Sequence, residues 1–436
     1  MRFMLRAPAD SVTIDPRSRA SGRVRVPGDK SISHRYAMLA ALADGESAIT
    51  GFSPGADCAA TLDCLRRLGV AIRKTGPSAM TIFGRGVGGL QPPEGPLDAA
   101  NSGTTMRLLS GIVAAHPFRT VMSGDGSLQR RPMRRIIDPL VRMGALIDAR
   151  EGRPPLTIDG GALHGITHEP EVPSAQVKSG VLLAGLHASG RTRVVEVVPT
   201  RDHTERALDA FGVRVTRDGT GVEIEGGQRL RAQSLTVPGD ISGAAFWAAL
   251  AGGTPSSDVH IDGVGLNLSR IAVLEVFRRA GVQVDFSRDD ERAGEPQGTL
   301  NVSFGACESF TVGPDEVPLL IDEIPALAAL AAMMPAGRTF TVRGAGELRV
   351  KESDRISSLA QGFRAMGAVV EEYDDGFTLE ARPLKGASVD AAGDHRLAMA
   401  FAIAATRASG ATTIGGASSV DVSYPGFFDE LARLTR

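Results

Sequence analysis

Lysine and arginine recur at one kind of place in this chain, beside the small polar residues that open a helix. Lys30-Ser31 precedes an alanine-rich run, and Arg35 lies one turn on from Ser31. Asn101-Ser102-Gly103-Thr104-Thr105 opens a second such run, with Arg107 in its first turn. Arg130-Arg131-Pro132-Met133 begins another helix, and Arg131, next to the proline, is the arginine expected to face inward. Unpaired N–H groups and the positive end of the helix dipole both favour an anion at such positions. Gly103 lets a ligand approach the backbone closely. Serine and threonine alone would read as caps; the added cations shift the reading toward phosphate or carboxylate binding. Ser174-Ala175-Gln176 starts a further helix, and Arg201-Asp202-His203 is a weaker anion candidate. Lys178, nearly opposite Gln176 on a helix, is expected to be a solvated charge.

The second half of the chain adds carboxylates to the pattern. Asp322-Glu323 stands at a helix start, and Lys351 and Arg355 share a face if residues 351–355 are helical. Asp394-His395-Arg396 opens another helix; its arginine could clamp a carboxylate with two parallel bonds, and its aspartate could be only an N-cap. Cations gathered with a few carboxylates suit a reaction between two small polyanions. Carboxylates in such a basic cluster can exchange protons with a reacting double bond. Asp322 and Glu352 are the candidates, with Lys30 and Lys351 as proton donors.

A repeated unit must position these groups. Val-Pro-Gly-Asp-Lys-Ser at 26–31 returns as Val-Pro-Gly-Asp-Ile-Ser at 237–242, and only the first copy carries the cations. Small-residue helical runs begin near Ser33, Gly103, Ala175, Gly243, Glu323 and Asp394, each followed by a turn and a β-like run. Their alanine and glycine content predicts helices buried on most sides. An amphipathic helix follows each strand, and Gly69, Gly144, Gly212, Gly281 and Gly367 are predicted positions just past five of these helices. The last helix runs into the C-terminus without a strand after it, and the segment Ser11 to Val26 can supply the missing one. The expected domains are 26–238, with three repeats, and 1–25 plus 239–436, with the other three. The two Pro-Gly crossings read as a hinge whose closure would exclude water from a cleft between the domains.

Composition narrows the partners. A chain of 436 residues with 42% hydrophobic residues has room for two or three domains. A net charge of −2 offers no polybasic field for nucleic acid or membrane, and one tryptophan with 5% aromatic residues argues against a base-stacking surface. Cys58, Cys64 and Cys307 show no pairing or ligand spacing, so reduced thiols are expected; the eight histidines form no zinc pattern. Met1 to Asp15 reads as neither signal nor membrane span, which predicts a cytoplasmic protein. Gly84, Gly86 and Gly89 match a dinucleotide pattern, but prolines follow where a helix should open, so this is a turn.

PGDKSISHR (27–35), NSGTTMR (101–107), RRPM (130–133), SAQ (174–176), RDHTER (201–206), RVKESDR (349–355) and DHR (394–396), with Asp322-Glu323-Ile324-Pro325, occur in this order along nearly the whole chain. Together they resemble the 5-enolpyruvylshikimate-3-phosphate synthases, in their second-class form. The resemblance implies an α/β fold of the two-domain, inverse α/β barrel-like enolpyruvyl transferase type, with six βαβαββ repeats, three per domain. It implies transfer of the enolpyruvyl group of phosphoenolpyruvate to the 5-hydroxyl of shikimate 3-phosphate, by a cytoplasmic monomer with no metal or organic cofactor. Lys30, Ser31, Arg35, Ser174, Ala175, Gln176, Asp322 and Lys351 would hold shikimate 3-phosphate. Lys30, Gly103, Arg131, Gln176, Arg355 and Arg396 would surround phosphoenolpyruvate. Asp322, Glu352 and Lys30 would be catalytic. Val422 stands where many first-class members carry lysine, and Gly103 leaves room for glyphosate-like competitors. A UDP-N-acetylglucosamine enolpyruvyl transferase is the nearest rival, though Gly126 stands where that family carries Cys or Asp; a non-catalytic sensor of a phosphorylated metabolite is the other.

Overall fold

The computed structural model describes residues 10–219, 221–289, 294–305 and 308–436. Two compact units divide the chain: one holds 27–238 with 291–296, the other 1–26, 239–290 and 297–436. Each is built on three inner helices. In the first unit these are Lys30–Leu42, Gly103–Val113 and Ala175–Gly185; in the second, Ile241–Gly253, Ile324–Ala332 and His395–Ala405.

Small residues let the inner helices touch backbone to backbone. A Cβ on Gly111 would stand 2.1 Å from the Gly180 carbonyl oxygen of the neighbouring helix, so only glycine fits there. Every residue of Ile324–Ala332 and of His395–Ala405 is buried, which removes any need for a polar stripe. The outer helices behave differently. In Arg134–Arg142, Ile136, Ile137, Pro139 and Leu140 are buried while its arginines face out. Gly69, Gly144, Gly212, Gly281 and Gly367 follow outer helices with φ between 84° and 110°, a backbone that side chains with a Cβ rarely adopt.

Among the described residues the strands form six small sheets. The second repeat shows the plan: Arg119–Ser123 pairs antiparallel with Leu156–Asp159 and parallel with Leu97–Asp98. The parallel partner comes from the end of the preceding repeat, so the first repeat must borrow its own. In the first unit Leu230–Arg231 and Ser234–Thr236 return to pair with Ala43–Thr50. In the second unit Ser21–Val24 pairs parallel with Asp258–Gly265, and Ser11–Ile14 pairs antiparallel with Thr412–Gly415. Each unit thus closes on itself. After the strand Ala79–Arg85, Gly86 and Gly88 turn the chain with positive φ, and no helix follows before Gly103, as the prolines predict.

Candidate active site

In the first unit, caps aim three inner-helix starts. Asp29 accepts from the Ile32 amide, Ser102 from the Thr105 amide, and Ser174 from the Val177 amide. These caps fix where each helix begins and so the direction of its first turn. Lys30 Nζ lies 2.9 Å from Asp57 Oδ2, which fixes the ammonium at the mouth of its helix. Behind it, His34 Nδ1 is 2.7 Å from Thr61 Oγ1, Thr61 is 2.6 Å from Thr105, and Thr105 bonds Ser102. Burial, then the charges of Lys30 and Arg35, holds the His34 imidazole well below the usual histidine range, so it is neutral and ties these helix starts together.

Two guanidinium groups flank Gly103. A Cβ on that residue would lie 2.8 Å from Arg107 Nη1 and 3.3 Å from Arg131 Nη1. Arg107 donates to Gln176 Oε1 at 2.7 Å, and Gln176 Nε2 donates to Thr104. Arg131 is buried, as expected, and donates to Asn101 Oδ1 at 2.8 Å; Arg130 is exposed. Gly103, Arg131 and Gln176 therefore stand together at one corner, with Arg107 between Gly103 and Gln176. The sequence marked Arg107 as part of the motif without giving it a binding role. Asp57 was missed because an acidic residue in a first helical turn reads as a dipole partner.

Arg35 is turned into the protein. Its Nε donates to Thr204, Nη2 to Ser179 and Nη1 to the Ser31 carbonyl, all at 2.7–2.8 Å. Burial lowers its pKa to about 10, with Glu205 and Asp29 opposing, so it stays charged at neutral pH. Lys178 corrects the expectation of a solvated charge. It is buried, with Nζ 2.7 Å from both Glu196 Oε2 and Glu205 Oε1. The reason is that its helix has no solvent face from Val177 onward, so the residue opposite Gln176 points into the unit.

The second unit brings Asp322, Lys351, Glu352, Arg355, Asp394 and Arg396 into neighbouring loops and helix starts. Arg355 is 1% exposed and organises the group. Its Nε meets Asp394 Oδ2 at 2.7 Å and its Nη2 meets Glu352 Oε2 at 2.7 Å. Nη1 has no hydrogen-bond acceptor among the described residues, and Asp322 Oδ1 stands 3.8 Å away. Burial alone would lower the Arg355 pKa, but Asp394, Glu352 and Asp322 outweigh it, so the net shift is upward. Arg396 donates to the Asp322 carbonyl at 2.8 Å. Asp394 both caps its helix, at the Arg396 amide, and binds Arg355, so the two readings of that aspartate coexist. Lys351 and Arg355 do not share a helix: Gly346–Val350 is a 3₁₀ turn, Lys351 has ψ of −149°, and Asp354 caps a new helix.

The second copy of the Pro-Gly-Asp motif has another use. Ser242, the counterpart of Ser31, bonds Glu323, and Arg270 Nη2 reaches both, at 2.7 Å and 2.9 Å. The buried Glu323 thereby fixes the turn that presents Asp322. Tyr424, two residues after Val422, accepts from Trp247 Nε1 at 2.9 Å and is buried in the core. Cys58 and Cys64 are buried free thiols, while Cys307 lies outside the described residues. Among the described residues, no cluster of metal-ligating side chains is present and no helix is long and apolar enough to cross a membrane.

An architecture of two units, inner helices and small sheets is that of the enolpyruvyl transferases. The solved enolpyruvyl transferase NikO from Streptomyces tendae matches over 98% of both chains with a TM-score of 0.79, at 18% identity. Closer similarity resolves the family. Residues 14–431 match the family model of EPSP synthase (3-phosphoshikimate 1-carboxyvinyltransferase). The 3-phosphoshikimate 1-carboxyvinyltransferase of Halorhodospira halophila is 49% identical, with 97% of this chain and 95% of the relative covered. That of Brevibacillus brevis is 47% identical, with 95% and 97% covered. The solved EPSP synthase from Acinetobacter baumannii is 41% identical, covers 98% of both chains and has a TM-score of 0.87. The chain belongs to the EPSP synthase family.

Proposed function

We propose that this chain transfers the enolpyruvyl group of phosphoenolpyruvate to the 5-hydroxyl of shikimate 3-phosphate and releases phosphate, a step of aromatic amino-acid biosynthesis. Membership of the family supports the reading, and one geometric observation carries it: Arg107 and Arg131 flank Gly103 at a helix start, a site built for a small anion. On this reading Lys30, Ser31, Arg35, Ser174, Ala175, Gln176, Asp322 and Lys351 hold shikimate 3-phosphate. Arg35 acts by fixing the Ser31 backbone, since its donors are directed to protein acceptors. Lys30, Gly103, Arg131, Gln176, Arg355 and Arg396 surround phosphoenolpyruvate, and Arg355 Nη1 supplies a donor with no hydrogen-bond acceptor among the described residues.

The chemistry needs one proton removed and one delivered, then the second returned. Asp322 accepts the 5-hydroxyl proton as that oxygen bonds to C2 of phosphoenolpyruvate. Glu352, with Lys30, protonates the methylene carbon, which gives a tetrahedral intermediate. Loss of a methyl proton restores the double bond as the C2–O bond to phosphate breaks. The arginines stabilise charge as it moves among carboxylate, phosphate and hydroxyl. Holding both reactants in register can contribute about 7–11 kcal/mol. The reading includes a cytoplasmic monomer, and residues 26–238 as the domain with most shikimate 3-phosphate contacts.

Purified protein given shikimate 3-phosphate and phosphoenolpyruvate should release phosphate and form the enolpyruvyl ether. Release only with UDP-N-acetylglucosamine would favour the rival transferase, and binding without turnover would favour a sensor.

A further inference from the structure

Lys178 lies outside every substrate contact proposed above, yet it is buried between two carboxylates. Its surroundings form a brace. On the helix Ala175–Gly185, Ser179 Oγ donates to the Ala175 carbonyl and lies 2.6 Å from Thr204 Oγ1. The adjacent pair, Lys178 and Glu205, joins the same two helix starts at 2.7 Å. Arg35 reaches Ser179, Thr204 and the Ser31 carbonyl, so the helix Lys30–Leu42 enters the same brace. Glu196 extends it further: it bonds Lys178 at 2.7 Å and also accepts from Thr200, the residue before Arg201. The carbonyls of Ser31 and Ala175 and the approach to Arg201 are therefore held from behind by one network. Gln176 is held separately, by Arg107 and Thr104.

We propose that Lys178 is a positioning residue for the sugar-phosphate substrate: through Glu205 and Glu196 it fixes the 196–205 segment against the first turn of Ala175–Gly185. The inference rests on the reading of those segments as the shikimate 3-phosphate site. A neutral side chain at 178 would leave two glutamates facing one place without the ammonium that bridges them. Both carboxylate oxygens bond the same Nζ at 2.7 Å, so they lie within twice that distance of each other. Like charges so close repel, so the two glutamates of the variant should move apart and loosen both segments. Arg35 and Arg201 face the same region, and Asp29 and Glu295 act on Arg35 across it; these charges remain in the variant.

The test compares Lys178→Met with the wild-type enzyme in steady-state phosphate release, each substrate varied in turn. KM for shikimate 3-phosphate should rise about tenfold, while kcat and KM for phosphoenolpyruvate change less than about threefold. An unchanged KM for shikimate 3-phosphate would overturn the proposal. So would a fall in kcat with both KM values raised alike, the mark of a merely structural lysine. Should Lys178→Met not fold, Glu205→Gln keeps Lys178 paired with Glu196 while weakening the cross-link. It should raise KM for shikimate 3-phosphate about threefold with kcat retained, and no change there would equally refute the brace. If the wild-type protein itself releases no phosphate, the functional reading has failed rather than this inference.

Discussion

Replacing Arg355 by lysine keeps a positive charge and removes the planar fork. In the native protein Nε and Nη2 bridge Asp394 and Glu352 at 2.7 Å each, and Nη1 has no hydrogen-bond acceptor among the described residues. A lysine ammonium can lie between the two carboxylates but cannot also present a donor in the direction of Nη1. A hydrogen bond to a charged group contributes about 1.5–3 kcal/mol, so Arg355→Lys should lower kcat/KM for phosphoenolpyruvate by roughly 10- to 150-fold. Two carboxylates sharing one ammonium should also cost about 1–3 kcal/mol of stability. Phosphate release with phosphoenolpyruvate varied at saturating shikimate 3-phosphate reads the first number, and urea unfolding reads the second. Calorimetric binding of shikimate 3-phosphate alone should stay within about threefold of wild type. A folded Arg355→Lys enzyme with wild-type kcat/KM for phosphoenolpyruvate would refute the role given to Nη1.

Three further outcomes follow from the geometry. Asp322→Asn keeps the shape of the side chain but cannot take a proton, so it should bind shikimate 3-phosphate normally and lose about 10²- to 10⁴-fold in turnover; wild-type rates would remove Asp322 from the mechanism. Gly111→Ala drives a Cβ to 2.1 Å from the Gly180 carbonyl and should cost about 1–3 kcal/mol in thermal or urea unfolding, and an unaltered melting temperature would contradict the close helix contact. The rings of His116 and His187 lie 5.2 Å apart; burial, then the charge of His116, lowers His187 to about 3, and burial lowers His116. Their neutral forms suit the folded state, so their stabilisation is complete above the unfolded histidine pKa and is lost as pH falls through it, by at most about 1.4 kcal/mol per pH unit for each. His187→Gln should therefore show a flatter decline in urea midpoint between pH 7 and pH 5 than wild type, and an identical slope would count against the burial effect.

The repeating architecture was legible because it depends on residue size. Alanine and glycine mark helices that must pack on several sides, and a glycine after an amphipathic helix marks the left-handed exit found at Gly69, Gly144, Gly212, Gly281 and Gly367. The strands Leu230–Arg231 and Ser234–Thr236 were harder to place, because their partner Ala43–Thr50 lies far away in sequence. Sequence spacing brought out Arg131, Arg355 and Arg396 through their positions at helix starts. It misled at Lys178, where helical geometry was right but the opposite face is as buried as the first. It also misled at Lys351, because an i to i+4 pairing presumes a continuous helix and Asp354 begins a new one. Ser242 shows a further limit: a repeated motif carries over its cap and helix start, while its hydroxyl is taken by Glu323, which no local pattern reveals.

The closure of the second unit sets a schedule for synthesis. Its strands Ser11–Ile14 and Ser21–Val24 leave the ribosome before residues 27–238, yet Ser11–Ile14 waits for Thr412–Gly415, about 400 residues further on. The intervening residues 27–238 can begin to fold while the remainder is translated, which takes roughly 10–40 s at about 5–20 residues per second. During that interval the nascent strand Ser11–Ile14 has no partner strand, and this is when a chaperone would protect the chain most.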